Sequence, residues 1–194
     1  MSLGELLACW GVKTAHVETA LVRADALERV VARLSCETFV AQCPHPWLVR
    51  PLDLGERVPV LYRTAGDGVE VSVGVSGVEA LIPRLRGDAS AFACHALVKC
   101  GSNPWTDRIL LGRAPNNDVV LRDRWISKLH AWFEQRDGGW HVFDARSANG
   151  TCANGEHVAS DAGVELRSGA ELRFGRIRCL FLESRELFGA LQST

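Results

Sequence analysis

The chain has 194 residues, 47% of them hydrophobic and 23% charged, with a formal net charge of -1. That balance provides a core, rules against wholesale disorder, and lacks the basic excess of a general nucleic-acid or anionic-membrane binder. Seven cysteines with no C-x-x-C pair read as free thiols of a cytoplasmic protein.

The N-terminal stretch meets Glu5 before any cation, so it lacks the basic start of a signal peptide, and no apolar run approaches the roughly 20 residues that span a bilayer. Residues 24–43 place Leu27, Val30, Val31, Leu34 and Phe39 at mostly helical spacing, with Asp25 as the expected N-cap. Pro44-His45-Pro46 ends that helix, and residues 47–51 read as a short strand. Residues 58–64 and 69–75 flank Ala65-Gly66-Asp67-Gly68 as a hairpin. Residues 77–85 predict a helical turn or two broken at Pro83, and residues 87–91 read as a linker. Residues 1–90 therefore sketch a small α+β region whose function the sequence does not indicate.

Beyond residue 93 short β-type runs recur every eight to twelve residues between Gly- and Asn-rich turns. They are 94–99, 108–111, 118–121, 130–135, 140–144, 150–153, 171–174 and 177–182. Many short strands of this kind predict an antiparallel β-sandwich, so the fold class is mainly β, preceded by the α+β region. Residues 184–194 form a tail read as a closing helix.

Three loop motifs punctuate this half in order: Gly112-Arg113, then Ser127-Lys128-Leu129-His130, then Ser147-Ala148-Asn149-Gly150-Thr151. Their residue types suit capture of a phosphate on a peptide. A phosphothreonine carries about -1.5 to -2 charges and three acceptor oxygens. Arg113 offers a guanidinium fork, Ser127 a short neutral donor, Lys128 a second cation, and Asn149 an amide able to fix a ligand main chain. Together with "ILLGRAPNNDVVL", "WISKLHAWFE", "WHVFDARSANGTCANG" and "LRSGAELRFG", these motifs resemble the forkhead-associated (FHA) domain over roughly residues 93–183.

The resemblance implies that Arg113 and Ser127 contact phosphate, that Asn149 contacts ligand main chain, and that His130 braces the loops from inside. Gly112, Gly150 and Thr151 join His130 as structural support. Ala148 stands where the family often has a hydroxyl, so one phosphate donor is missing and affinity is expected to fall. Trp125 reads either as sandwich core or as an apolar wall selecting a hydrophobic residue about three positions after the phosphothreonine. The expected partner is a phosphothreonine protein, a Ser/Thr kinase or its substrate, in bacterial signalling or a secretion-linked system. Neither nucleic acid nor membrane is expected as a partner, and the oligomeric state is open.

Enzyme readings fare worse. Ser127, His130 and Asp144 invite a triad, but no G-x-S-x-G elbow, Walker loop or H-E-x-x-H is present. Cys43 beside His45 lacks a third group, and Cys36, Cys43 and His45 lack a fourth zinc ligand, so no catalytic residue, metal or cofactor is assigned. Two functions are carried: an adaptor that binds phosphothreonine, and a scaffold whose FHA fold binds a partner independently of phosphorylation.

Overall fold

A computed structural model describes residues 21–52, 77–100 and 103–192. The hairpin expected over residues 58–75 lies outside them. In chain order the elements are β1 (Leu21–Arg23), α1 (Ala24–Val31), α2 (Cys36–Gln42), β2 (Trp47–Pro51), α3 (Gly77–Gly87), a 3-10 turn (Ala89–Ala91) and β3 (Phe92–Ala96). Then come β4 (Ile109–Gly112), β5 (Val119–Val120), β6 (Ala131–Arg136), β7 (Gly139–Asp144), β8 (Thr151–Ala153) and β9 (Glu156–His157). The chain closes through β10 (Val164–Leu166), β11 (Glu171–Phe174), β12 (Ile177–Leu182) and α4 (Ser184–Leu191).

The strands form two sheets, of order β1-β3-β2-β12-β11-β8-β9 and β10-β7-β6-β4-β5. Every pairing is antiparallel except β4 with β5. The sheets face each other across a core that includes Leu111, Phe133, Val142, Leu172 and Phe174. The larger sheet is also covered on its far side, by α1, α2, α3 and α4. The period-2 alternation of a strand therefore buries both faces. Cys179 and Phe181 of β12 enter the sandwich core, while Leu180 and Leu182 enter the core beneath the helices. In β2, Leu48 takes the first side and Trp47 with Val49 the second. Strand β2 pairs with β12, so residues 47–51 extend the same sheet as residues 171–182.

Several local expectations change. The helix foreseen over residues 24–43 is two helices, because Ser35 starts the second by accepting the Thr38 N–H at 3.2 Å. A serine hydroxyl competes for main-chain donors and favours a helix start over a helix interior. Asp25 does not cap α1. Arg23 occupies that position without a side-chain capping bond, and Asp25 in the first turn pairs with Arg23 and Arg29. Pro83 does not break α3, since Leu81 and Leu85, one turn apart, are buried on either side of it. Packing of that face outweighs the lost main-chain bond. Residues 87–91 are a packed turn, with Ala89 buried and Asp88 capping Ser90.

Trp47 is fully buried and donates from its indole N–H to Ser184 Oγ at 3.2 Å. That hydroxyl in turn reaches the carbonyls of Cys43 and His45, which locks α4 to the turn before β2. The cysteines among the described residues are free, and burial pushes Cys43 and Cys179 up to about 12, so both stay thiols. No helix among the described residues is long and apolar enough to cross a membrane.

Candidate functional site

Four connections meet at one end of the sandwich. They are the β4–β5 loop, the segment between β5 and β6, the β7–β8 loop and the β11–β12 turn. Main-chain bonds tie them: Arg113 N–H to Ser127 O at 2.9 Å, Ala114 N–H to Lys128 O at 3.2 Å, and Gly175 N–H to Gly150 O at 2.9 Å. Side chains add two ties. Ser127 Oγ accepts the Ala148 N–H at 3.0 Å, and Asn149 Nδ2 donates to Trp125 O at 2.8 Å.

Buried groups beneath the loops set this geometry. His130 is fully buried; its Nδ1 accepts the Ser127 N–H at 3.1 Å and its Nε2 lies 3.2 Å from Gly150 O. The first bond needs an unprotonated Nδ1, which assigns the proton to Nε2 and makes the ring neutral. Burial holds its pKa below the ordinary range, against the opposing pull of the Gly150 carbonyl and Asp144. Phe174 meets the ring edge-on at 5.9 Å.

Gly112 has no room for a side chain. A Cβ there would press on the Lys128 carbonyl and lie 2.8 Å from Asn117 Nδ2. Gly150 has φ +72, and a Cβ on it would sit 2.5 Å from the His157 ring. Thr151 is buried and donates to Asp144 Oδ1 at 2.7 Å, beside Ser147 Oγ on the same oxygen at 2.7 Å. Desolvation works to raise the Asp144 pKa, but the Ser147 and Thr151 bonds outweigh it and the net shift is downward. The carboxylate therefore anchors the β7–β8 loop as an anion.

The exposed groups point to a ligand chemistry. Arg113, Lys128 and Asn149 are exposed and Ser127 is half-buried. Because the Ser127 oxygen accepts from Ala148, its own proton is left to donate outward. Asn149 donates an amide N–H to Trp125 O, and its side-chain carbonyl oxygen takes no hydrogen bond from the described residues. Two cations, a hydroxyl donor and an amide acceptor on adjoining loops can hold a phosphate and orient the chain that bears it. Ala148 contributes its main-chain N–H to Ser127 and brings no hydroxyl. Trp125 is half-buried, with its ring flanked by Arg124 and Arg176, 5.4 and 5.6 Å from guanidinium carbon to ring centroid.

The same geometry excludes the Ser127–His130–Asp144 triad. His130 bonds the main-chain N–H of Ser127 and not its hydroxyl, and its other nitrogen goes to Gly150 O, so no base activates Ser127. A cavity of about 570 Å³ lies elsewhere, in the helical layer near Val31, Arg86 and Leu191. Among the described residues no cluster of three or more His, Cys, Asp or Glu could hold a metal.

Sequence reasoning overlooked Asn117, Asp123 and Gly175, and gave Ser147 of the third motif no role of its own. Asn117 is buried and its Nδ2 bridges Ala114 O at 2.8 Å and Lys128 O at 2.7 Å, stitching the Arg113 loop to the Ser127 loop. Its only signal was a place in Pro115-Asn116-Asn117, where turn chemistry already explained it. Asp123 holds the Trp125 N–H at 2.8 Å and Arg176 at 3.2 Å. Gly175, at φ +55, lets the β11–β12 turn approach Trp125 O.

The FHA domain family model matches residues 109–175, a span that contains the first three connections and ends within the β11–β12 turn. The chain is 40% identical over 72 residues to the oxoglutarate dehydrogenase inhibitor of Corynebacterium diphtheriae, covering 37% of this chain and 48% of that protein. It thus spans about half the length of that relative. It is 36% identical over 114 residues to the glycogen accumulation regulator GarA of Mycolicibacterium smegmatis, covering 55% of this chain and 69% of that protein. Among solved structures, the FHA domain of an Arabidopsis thaliana hypothetical protein is 28% identical, with a TM-score of 0.39, covering 50% of this chain and 75% of that one. The chain belongs to the FHA domain family.

Proposed function

We propose that this chain is a cytoplasmic adaptor that binds phosphothreonine on a partner protein, a Ser/Thr kinase or its substrate. The observation that carries this reading is the set of Arg113, Ser127, Lys128 and Asn149 on hydrogen-bonded loops, with polar groups left over for a ligand. Arg113 would supply the fork to the phosphate, Ser127 its hydroxyl, Lys128 a second cation, and Asn149 the main-chain contact. Gly112, His130, Gly150 and Thr151 would hold those groups in place. Both relatives bear the names of metabolic regulators, which supports a role in control and not in catalysis.

Calorimetric titration with a phosphothreonine peptide library and its unphosphorylated twin tests the reading. Binding should depend on the phosphate. Arg113→Ala should weaken it by between about tenfold and about 150-fold, the equivalent of about 1.5–3 kcal/mol for a charge-assisted bond. Equal binding of both libraries would instead favour the scaffold reading, toward which Ala148 leans by withholding a phosphate donor.

A further inference from the structure

The cavity in the helical layer has no part in phosphothreonine binding. It lies where the last turns of α1, α3 and α4 meet, beside Val31, Arg86 and Leu191. Its volume of about 570 Å³ falls within the roughly 300–1,000 Å³ of small-molecule sites. Val31, Leu34 and Leu191 give it an apolar wall, continuous with the core that Leu27, Leu85 and Phe188 form beneath the helices. That wall suits a short aliphatic group, and the remaining lining is polar.

Two side chains of opposite charge, Glu28 and Arg86, line this one cavity. They do not pair with each other. Arg86 is exposed, and its one hydrogen bond among the described residues runs from Nη2 to the Gly189 carbonyl at 3.3 Å. That bond sets the guanidinium against the last turn of α4 and leaves its other N–H groups for a carboxylate. The helix ends add to the negative side. Last-turn carbonyls lack intrahelical partners and carry partial negative charge, and α1 and α4 both end at the cavity. With Glu28 they favour an ammonium group. A ligand bearing only a carboxylate would bring a second anion toward Glu28, and one bearing only an ammonium would bring a second cation toward Arg86. A zwitterion answers both charges at once.

We propose that this cavity binds a free α-amino acid with an aliphatic side chain. Its carboxylate lies on Arg86, its ammonium toward Glu28, and its side chain against Val31, Leu34 and Leu191. The bound molecule bridges α1, which precedes β2, to α4, which follows β12, and so fastens the helical layer that covers the larger sheet. The site is separate from the loop end and stands whether or not that end takes a phosphothreonine.

The test is calorimetric titration of the full chain with leucine, glycine, isoamylamine (leucine without its carboxylate) and isocaproate (leucine without its amine). Leucine should bind at least about tenfold more tightly than any of the other three. Arg86→Gln and Glu28→Gln should each weaken leucine binding by about tenfold or more. Ala32→Phe places a ring at an exposed position of the lining and should exclude leucine. Leucine at about 100 times its Kd should also raise the wild-type melting temperature by about 5–10 °C, a shift that Arg86→Gln should lack. Arg86→Gln guards against a fold defect, because it removes one long bond from an exposed side chain. Absence of leucine binding would overturn the proposal. So would isocaproate or isoamylamine binding as tightly as leucine, or a leucine Kd unchanged in both charge variants.

Discussion

Acid should destabilise this protein before its carboxylates titrate. His95 is buried and His45 half-buried, and His45 Nε2 and His95 Nδ1 have no hydrogen-bond partner among the described residues. Burial lowers His45 to about 4, and burial together with the Arg50 guanidinium lowers His95 to about 3. Arg50 Nε donates to His95 Nε2 at 3.2 Å, a bond that a protonated ring bearing a hydrogen there would forfeit. In the unfolded chain both rings titrate near the ordinary value of about 6.5. Between the two sets of values the unfolded state holds more protons, so stability rises with pH there. The contribution of each ring is complete above about pH 6.5 and is lost as pH falls toward its folded value.

From pH 7 to pH 5 each of these two histidines should remove nearly 2 kcal/mol, about 4 kcal/mol together, out of a typical total of about 5–15 kcal/mol. His130, also lowered, pulls in the same direction. Urea unfolding followed by tryptophan fluorescence at pH 7, 6 and 5 measures this, with buried Trp47 as an internal reporter. The double variant His45→Gln/His95→Gln should lose most of the dependence, whatever its stability at pH 7, because glutamine does not titrate. A wild-type stability that changes by less than about 1 kcal/mol between pH 7 and pH 5 would refute the assignment of neutral, desolvated rings.

Two further outcomes follow from the loops. Gly112→Ala should weaken phosphothreonine-peptide binding at least tenfold and cost about 1–3 kcal/mol in a thermal melt, because the new methyl collides with the Lys128 carbonyl and the Asn117 amide. A variant that binds like wild type would show that the loop pairing is looser than its hydrogen bonds imply. Arg146 sits at φ 55, a conformation that costs a non-glycine residue roughly 1–2 kcal/mol. Arg146→Gly should therefore raise stability by about 0.5–1 kcal/mol, net of glycine's entropy in the unfolded chain, and a lower melting temperature would count against strain at that turn.

The parts of this molecule that the sequence disclosed are those whose residue types are forced locally. Strands β11 and β12 appear where alternation placed them, since apolar residues of period two leave few other choices. Strands β9 and β10 went unforeseen. Glu156–His157 and Val164–Leu166 are two and three residues long, and they pair only because β8 and β7 present them with an edge. Likewise "IRCLFL" reads as a strand, but its burial on both faces depends on helices contributed by distant segments.

The same division runs through the loop end. Gly112, Arg113, Ser127, His130, Asn149 and Gly150 stood out in the sequence because chemistry or steric exclusion specifies each, and the fold brings their loops to one end of the sandwich. Asn117, Asp123 and Gly175 were not, because each acts on a partner far along the chain. Asn117 reaches Lys128, Asp123 reaches Arg176, and Gly175 admits Trp125. The turn propensity of Asn, Asp and Gly hides such roles, since a residue that suits a turn needs no second explanation. Trp125 shows where this matters for function. By sequence its neighbours Arg124 and Ile126 left it a lone aromatic, open to an apolar reading. Only the β11–β12 turn brings Arg176 to it, so the ring lies between two guanidinium groups, an arrangement that no local reading of its own loop supplies.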